Sequence, residues 1–193
     1  MNLPNKLTLL RIFLIPVFVA VFYLTIIPYN LIISAVVFAL AAFTDFLDGY
    51  IARKYKLVTD LGKFLDPIAD KVLVSTALIV ILIPPQNFNI LPTNAWYVAV
   101  MVAIIMAREL IVSAFRLIAA SKGKVIAADK SGKLKTFFTD VAIVEILVAG
   151  QFSVVGFGVA NLVGIILLAI STLLTIYSGI ECFVKNKGVI SNG

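Results

Sequence analysis

Long apolar runs are the feature that most restricts how this chain can fold. Six runs of roughly twenty predominantly apolar residues follow one another along the chain. The chain has 193 residues, of which 62% are hydrophobic. Since backbone polar groups must be satisfied within a bilayer-spanning segment, such runs favour helices. The sequence therefore predicts a single all-α integral membrane domain over residues 1–193, with six transmembrane helices at 7–27, 31–54, 61–84, 94–121, 134–151 and 157–184.

The distribution of positive charge predicts the orientation of these helices. All sixteen Lys and Arg residues lie near the N-terminus, the 2–3 and 4–5 connections, the C-terminus, or the helix halves that lead into them. Because cytoplasmic loops carry the excess of Lys and Arg, we expect both termini on the cytoplasmic side. The same charge would attract anionic headgroups or a phosphorylated substrate.

Four aspartates interrupt two of the apolar runs at regular spacing. Asp45 and Asp48 lie late in predicted helix 2, and Asp66 and Asp70 lie in predicted helix 3. On antiparallel helices the two pairs would face each other, two to three turns inside the cytoplasmic boundary. Four such carboxylates would repel one another unless cations bind between them. The chain has no histidine, so oxygen ligands and hence Mg²⁺, Mn²⁺ or Ca²⁺ are favoured. The pattern predicts a binuclear metal site on helices 2 and 3, open to the cytoplasm.

Small and basic residues border these aspartates. Gly49, Ala52 and Gly62 lack bulk, so a ligand can approach the backbone closely there. Arg53 and Lys63 are placed to neutralise a pyrophosphate. The alternative is that the aspartates form buried ion pairs, but the three nearest cations poorly satisfy four inward carboxylates.

Together these residues form the pattern D-x-x-D-G-x-x-A-R and, after eight residues, G-x-x-x-D-x-x-x-D. This pattern resembles the signature of the CDP-alcohol phosphotransferase family, and the six-helix length fits over essentially the whole chain. The resemblance implies transfer of a phosphatidyl group from CDP-diacylglycerol to an alcohol, with release of CMP. It implies that two divalent cations, Mg²⁺ or Mn²⁺, are held by Asp45, Asp48, Asp66 and Asp70. It also implies that Asp70 deprotonates the acceptor hydroxyl.

The resemblance further predicts the residues that bind the nucleotide lipid. The segment from Leu3 to Arg11 is similar to the start of bacterial family members, which places Asn5 and Thr8 on the nucleotide side. The predicted CDP-diacylglycerol-binding residues are Asn5, Thr8, Gly49, Ala52, Arg53 and Gly62.

A second basic patch predicts the class of the acceptor. Arg108 and Arg116 lie in predicted helix 4, and Lys133 and Lys135 lie where a lysine-rich segment leads into predicted helix 5. An arginine as deep as Arg108 needs a partner, and its neighbour Glu109 projects about 100° away, so we expect a different partner. The patch suits an anionic acceptor such as sn-glycerol 3-phosphate, and we expect all four cations to bind its phosphate. The residues around Arg108 and Lys135 also resemble family members that use this acceptor.

Several alternatives remain open from the sequence. Lys133 and Lys135 could be ordinary cytoplasmic-side charge, and Arg116 could extend to the interface. The acceptor could be phosphatidylglycerol, serine or inositol phosphate. A divalent-cation transporter would use the same aspartates, although the chain lacks the internal repeats that transporters often show. A purely structural protein would leave four buried acids unexplained.

The expected surroundings follow from the same arguments. The bilayer and the two substrates are the expected partners, with no nucleic acid. The expected location is the inner or plasma membrane of a bacterial cell. Small residues of predicted helix 6 are suited to helix association, namely Gly164, Ser171 and Gly179. A homodimer is implied mainly by the family resemblance.

Overall fold

The computed structural model describes residues 3–54, 60–86, 88–121, 130–153 and 158–186, with side chains from Lys6 onward except those of 45–54, 60–67 and Lys130. The described residues form six helices and no strand. The prediction of an all-α chain with six helices is thus confirmed. The helices are α1 (Leu3–Tyr23), α2 (Asn30–Lys54), α3 (Asp60–Leu82), α4 (Trp96–Ser121), α5 (Lys130–Gln151) and α6 (Val159–Lys185).

Three helix boundaries differ from the predicted ones by four residues, the first being the start of α1 at Leu3 and not at residue 7. α1 ends at Tyr23 and not at residue 27. Beyond it, Tyr29 adopts a positive φ of 58°, and Asn30 Nδ2 donates a 2.8 Å hydrogen bond to the Phe22 carbonyl near the helix end. α5 begins at Lys130 and not at residue 134, so Lys133 lies within the first turn of a helix and not in the connection before it.

The chain forms two compact units, which are described separately. Unit one comprises Met1–Thr93 and Ile143–Gly164. In it, α1 packs against α2 and α3, and α2 packs against α3. Phe18, Phe22 and Phe38 are fully buried, with ring centroids of Phe18 and Phe38 6.1 Å apart. Because these large aromatic side chains are fully buried, they form the centre of the α1–α2 contact.

Side-chain amides complete unit one where the helices end. Gln151 Oε1 accepts a 2.9 Å hydrogen bond from the backbone N–H of Leu31. Asn161 Nδ2 donates to the Ile90 carbonyl at 3.2 Å. These bonds satisfy backbone groups that lack partners at helix ends and in loops.

Unit two comprises Asn94–Ala142 and Ile165–Gly193. Its apolar cluster brings α4 and α6 together, with Phe115 and Phe183 rings 4.8 Å apart and Cys182 buried as a free thiol. About three turns earlier in α6, the Ser171 hydroxyl lies 2.5 Å from the Thr139 hydroxyl of α5, and both are buried. The unit is thus held by apolar packing near the end of α6 and by hydroxyl hydrogen bonding about three turns before it.

Among the described residues, three helices are long and apolar enough to cross a membrane. They are Lys6–Tyr23 in α1, Trp96–Ser121 and Val159–Lys185, with Asn30–Thr44 a shorter apolar helix. Trp96, which is 72% exposed, begins α4 beside Tyr97, as expected for residues at a membrane interface. α5 is less apolar than these three helices because five charged residues lie along it: Lys130, Lys133, Lys135, Asp140 and Glu145. The helices therefore support an integral membrane protein.

The small residues of α6 are used inside the chain. Ser171 bonds to α5 within unit two, and a Cβ at Gly179 would lie 3.3 Å from Arg108 Cγ on α4. Within unit one, Gly164 lies against Glu145 and Ile146 of α5. Helix association through small residues is therefore observed, between helices of one chain.

The close approach at Gly164 leads to a stability prediction. A Cβ there would overlap Glu145 Oε2 and lie 2.5 Å from Ile146 Cγ1 and 3.2 Å from the Ile146 backbone nitrogen. We expect Gly164→Ala to lower the free energy of unfolding by roughly 1–3 kcal/mol, because overpacking forces the helices apart. The measurement is thermal unfolding of the purified protein in detergent.

A matched glycine on α5 provides the control. A Cβ at Gly132 would meet nothing within 4 Å. Gly132→Ala should therefore leave stability unchanged or raise it by up to about 1 kcal/mol, since alanine is the better helix former. Equal destabilisation by the two substitutions would contradict the close-approach explanation.

Candidate active site

The aspartate motif lies on two helices that contact each other in unit one. Asp48 lies six residues before the end of α2, and Asp66 lies six residues after the start of α3, which is about 9 Å along each axis. Asp45 and Asp70 lie nine and ten residues from the same connection, or roughly 14 and 15 Å. The paired aspartates thus lie at matching distances from the helix ends that border the connection.

Several predicted site residues lie outside the described side chains. These are Asn5, Asp45, Asp48, Gly49, Ala52, Arg53, Gly62 and Asp66. Their backbone belongs to the first turn of α1, to α2 and to α3. Their roles in binding metal and nucleotide stay predictions.

Asp70 is the member of the motif whose side chain is described. It lies on α3 between two buried residues of the same helix, Ala69 and Leu73, and is itself half-buried. A partly exposed carboxylate at this position is accessible to a ligand while its helix is fixed by packing. Its role as the proton acceptor stays a prediction.

The donor chemistry of the motif fits divalent cations. Four carboxylates supply only oxygen ligands, and the chain contains no histidine. The only cysteine, Cys182, is buried in the apolar cluster of unit two. Hard oxygen ligands suit Mg²⁺ and Mn²⁺. The described side chains contain no group of three or more potential metal ligands, since three of the four aspartates lie outside them.

A buried arginine marks the contact between α1 and α2 next to this motif. Arg11 is fully buried and its Nε donates to the Ala41 carbonyl at 3.3 Å. The Thr44 hydroxyl donates to the same carbonyl at 2.7 Å. Ala41 lies one turn before Asp45, so α1 contacts α2 directly beside the acidic segment. Arg11 is absent from the sequence-predicted site residues, although a cation inside the first apolar run was an available signal.

Thr8 lies one turn before Arg11 on α1. It is fully buried within the described residues. Its predicted contact with the nucleotide stays a prediction.

A polar cluster in unit two joins three helices. We call it the acceptor cluster and define it as Arg108, Glu109, Lys135 and Ser178. Arg108 Nη1 is 3.1 Å from Glu109 Oε1, and Arg108 Nη2 donates to the Ser178 hydroxyl at 2.9 Å. Lys135 Nζ forms an ion pair with the same oxygen of Glu109. One carboxylate oxygen of Glu109 thus pairs with two cations from different helices.

The prediction that Arg108 would find a partner other than Glu109 is only half right. Ser178 of α6 is such a partner, but Glu109 also binds the guanidinium. Adjacent helical residues project in different directions, yet long side chains can bend toward each other. Lys135 of α5 pairs with the same Glu109 carboxylate, so a third helix contributes to the cluster. Glu109 is therefore a cluster residue that the charge pattern alone did not predict.

Packing fixes the two cations of the acceptor cluster. A Cβ at position 179 would lie 3.3 Å from Arg108 Cγ, so Gly179 leaves room for the arginine stem against α6. The Lys135 carbonyl accepts hydrogen bonds from Thr139 at 2.9 Å and from Ser171 at 3.3 Å. The side chain of Lys135 is 8% exposed and that of Arg108 is 12% exposed. Both cations are thus largely removed from solvent.

The other two predicted acceptor residues lie differently. Lys133 is exposed, two residues before the buried Lys135 on α5. Arg116 is half-buried two turns beyond Arg108 on α4, and its Nε has no hydrogen-bond partner among the described residues. The structure therefore brings Arg108 and Lys135 together and leaves Lys133 on the surface.

A second carboxylate in unit two is paired away from the acceptor cluster. Glu181 Oε1 is 2.6 Å from Lys185 Nζ, one turn further along α6. Its other oxygen accepts a 2.5 Å hydrogen bond from the Ser131 hydroxyl of α5. Glu181 therefore has structural partners of its own.

Comparison with known proteins identifies the family. A family model described as CDP-alcohol phosphatidyltransferase matches residues 1–177. The chain belongs to this family. The family resemblance of the aspartate motif is thereby confirmed, and CDP-alcohol phosphatidyltransferases generally use a divalent metal ion.

Curated proteins from three bacteria are similar over nearly the whole chain. A Bacillus subtilis protein is 41% identical over 96% of this chain and 95% of its own length. A Rickettsia bellii protein is 39% identical over 94% and 93%, and a Salmonella typhimurium protein is 36% identical over 97% and 96%. Each of the three is named CDP-diacylglycerol–glycerol-3-phosphate 3-phosphatidyltransferase.

Proposed function

We propose that this chain transfers the phosphatidyl group of CDP-diacylglycerol to sn-glycerol 3-phosphate, forming phosphatidylglycerophosphate and CMP. The observation that carries the proposal is the shared name of relatives that are 36–41% identical and match at least 94% of the chain. The acceptor cluster supports the same substrate, because two largely buried cations are suited to an anionic alcohol.

Arg108 and Lys135 are the proposed core of the acceptor phosphate site. Arg108 Nη1, which lies 3.1 Å from Glu109 Oε1, is the donor proposed for the phosphate. Arg116 supplies further donors on the same helix. Lys133 acts at longer range, since an exposed lysine contributes attraction in solvent more than a fixed contact.

Unit one carries the proposed site for the nucleotide lipid. Two bound Mg²⁺ or Mn²⁺ ions would offset negative charge on the diphosphate. The residues proposed to hold them are Asp45, Asp48, Asp66 and Asp70. The residues proposed to line the CDP-diacylglycerol site are Asn5, Thr8, Gly49, Ala52, Arg53 and Gly62.

Asp70 is the proposed proton acceptor of the reaction. The acceptor's hydroxyl oxygen bonds to the phosphatidyl phosphorus, and the bond from that phosphorus to the CMP oxygen breaks. The hydroxyl proton passes to the Asp70 carboxylate, and CMP leaves with the bonding electron pair. In a chain without histidine, a half-buried aspartate is the natural group for this step.

The proposed membrane arrangement has six spans, both termini in the cytoplasm and the aspartate site open to that side. It is supported by the restriction of all sixteen Lys and Arg residues to one set of connections and helix halves. The proposed location is the inner or plasma membrane of a bacterial cell, and the proposed assembly is a homodimer.

The test is CMP release by the purified full-length protein with CDP-diacylglycerol and Mg²⁺ or Mn²⁺. We expect release with sn-glycerol 3-phosphate and none with serine, inositol phosphate or phosphatidylglycerol. We expect a chelator to abolish release and added Mg²⁺ or Mn²⁺ to restore it, because four carboxylates without cations would repel one another. Full activity after chelation would contradict the metal assignment.

Other outcomes point to the alternatives. Release with a different alcohol would keep the reaction class and overturn the acceptor. Absence of release with every alcohol, from protein shown to be folded, would favour the divalent-cation transporter.

A further inference from the structure

Glu109 is the one acid of the acceptor cluster. Its Oε1 lies 3.1 Å from Arg108 Nη1 and pairs with Lys135 Nζ. An oxygen held by an arginine and a lysine at once is in the position that a phosphate oxygen would take in an anion site. Glu109 therefore occupies the donors that an acceptor phosphate needs.

The two cationic residues have anchors other than this carboxylate. Arg108 is held independently by the Ser178 hydroxyl and by its packing on Gly179 of α6. The backbone of Lys135 is anchored by two hydroxyl hydrogen bonds at its carbonyl. Removal of Glu109 would thus leave the Arg108 guanidinium held by Ser178 and the backbone of Lys135 anchored.

Glu109 itself is more loosely placed than its partners. Its side chain is 25% exposed, against 12% for Arg108 and 8% for Lys135. Adjacent residues on a helix do not face each other, so the Arg108–Glu109 contact requires both side chains to bend. The carboxylate is therefore the member of the cluster that can most readily turn toward solvent.

Charge balance explains why a carboxylate lies there. Two largely buried cations without an anion are unfavourable, and Glu109 offsets one of their two charges. A phosphomonoester brings up to two negative charges and more acceptor oxygens, so it can replace the carboxylate. An alcohol with one negative charge or none has little advantage over it.

We propose that Glu109 is a resident counter-anion, displaced by the phosphate of the acceptor, that makes the site selective for phosphomonoesters. This inference rests on the proposed function, because it concerns the acceptor of that reaction. Glu109 acts here as a specificity-determining residue through competition for the donors of Arg108 and Lys135.

The test compares wild type with Glu109→Gln, which keeps the shape of the side chain and removes its charge. We expect the inhibition constant of inorganic phosphate to fall about five- to tenfold, and the KM for sn-glycerol 3-phosphate to fall in the same direction. The KM for CDP-diacylglycerol should stay within about twofold of wild type. Glu181→Gln is the matched control, since Glu181 lies in the same unit but pairs with Lys185 and Ser131, and it should change neither constant.

Two results would overturn the inference. A rise in the inhibition constant of phosphate in Glu109→Gln would make Glu109 a positioning residue for the two cations. An equal change in the KM for CDP-diacylglycerol would show a general effect on the protein. If Glu109→Gln does not fold, Glu109→Asp is used, and we expect a smaller fall of about twofold; an unchanged or higher constant would again overturn the idea.

A binding measurement separates this inference from the proposed function. Inorganic phosphate should raise the unfolding midpoint of Glu109→Gln more than that of wild type, because binding to the folded state stabilises it. If wild type releases no CMP with sn-glycerol 3-phosphate, the proposed function fails while this measurement still decides whether Glu109 competes with phosphate. If wild type is active and the two midpoints shift equally, the counter-anion role alone fails.

Discussion

Replacement of Asp70 by asparagine is expected to lower the rate of CMP release by a factor of about 10²–10⁴, the usual contribution of a general base. Asparagine keeps the size and an oxygen of the side chain but cannot accept the hydroxyl proton. Because Asp70 is half-buried on a well-packed stretch of α3, the isosteric change should leave the fold intact. CMP release and equilibrium binding of CDP-diacylglycerol, both with Mg²⁺, are the measurements.

Binding decides between the two roles proposed for Asp70. Retained binding of CDP-diacylglycerol with lost turnover indicates a proton acceptor, whereas loss of both indicates that Asp70 acts chiefly through the metal ions. The control is Glu181→Gln, which also changes a helical carboxylate to an amide and should keep wild-type turnover. Turnover of Asp70→Asn close to wild type would show the base assignment to be wrong.

Replacement of Lys135 by alanine should raise the KM for sn-glycerol 3-phosphate about 10- to 100-fold. A hydrogen bond to a charged group contributes roughly 1.5–3 kcal/mol, and each 1.4 kcal/mol is a factor of ten in affinity. Lys135 is 8% exposed, so solvent screens its interaction with a phosphate only weakly. Initial rates with each substrate varied in turn are the measurement, and the KM for CDP-diacylglycerol should change less than about twofold.

Lys185→Ala is the matched control for Lys135→Ala. Lys185 is an exposed lysine near the end of α6 that pairs with Glu181, so its removal should leave both KM values unchanged. Equal increases in the two KM values for Lys135→Ala would contradict separate sites for the two substrates.

The Lys135 and Glu109 substitutions are expected to act in opposite directions on the same constant. Loss of the cation removes attraction for the acceptor phosphate, while loss of the carboxylate removes its competitor. A merely structural cluster would respond in the same direction to both changes. The sign of the two effects therefore distinguishes an electrostatic role from a packing role.

The number of helices and the acidic motif were predictable from the sequence because both are local properties. The length of an apolar run decides whether a segment is long enough for a span, and spacings of three and four residues place side chains on one helical face. The residues at which the helices begin and end were less predictable than their number. α5 begins four residues early, and Ser131 in its first turn bonds to Glu181, fifty residues away.

The membership of the acceptor cluster could not be predicted from the sequence, because it depends on tertiary structure. Lys133 and Lys135 are equivalent in a charge pattern, yet only Lys135 is buried, because its carbonyl and side chain meet α6 and α4. Glu109 lies next to Arg108 in the sequence, but its role arises only when α5 brings Lys135 to the same oxygen. The six helices and the spacing of the four aspartates follow from the amino-acid sequence alone, since helical geometry needs only neighbouring residues. Only the packing of three helices decided which cations share an anion, since that depends on distances between residues far apart in the chain.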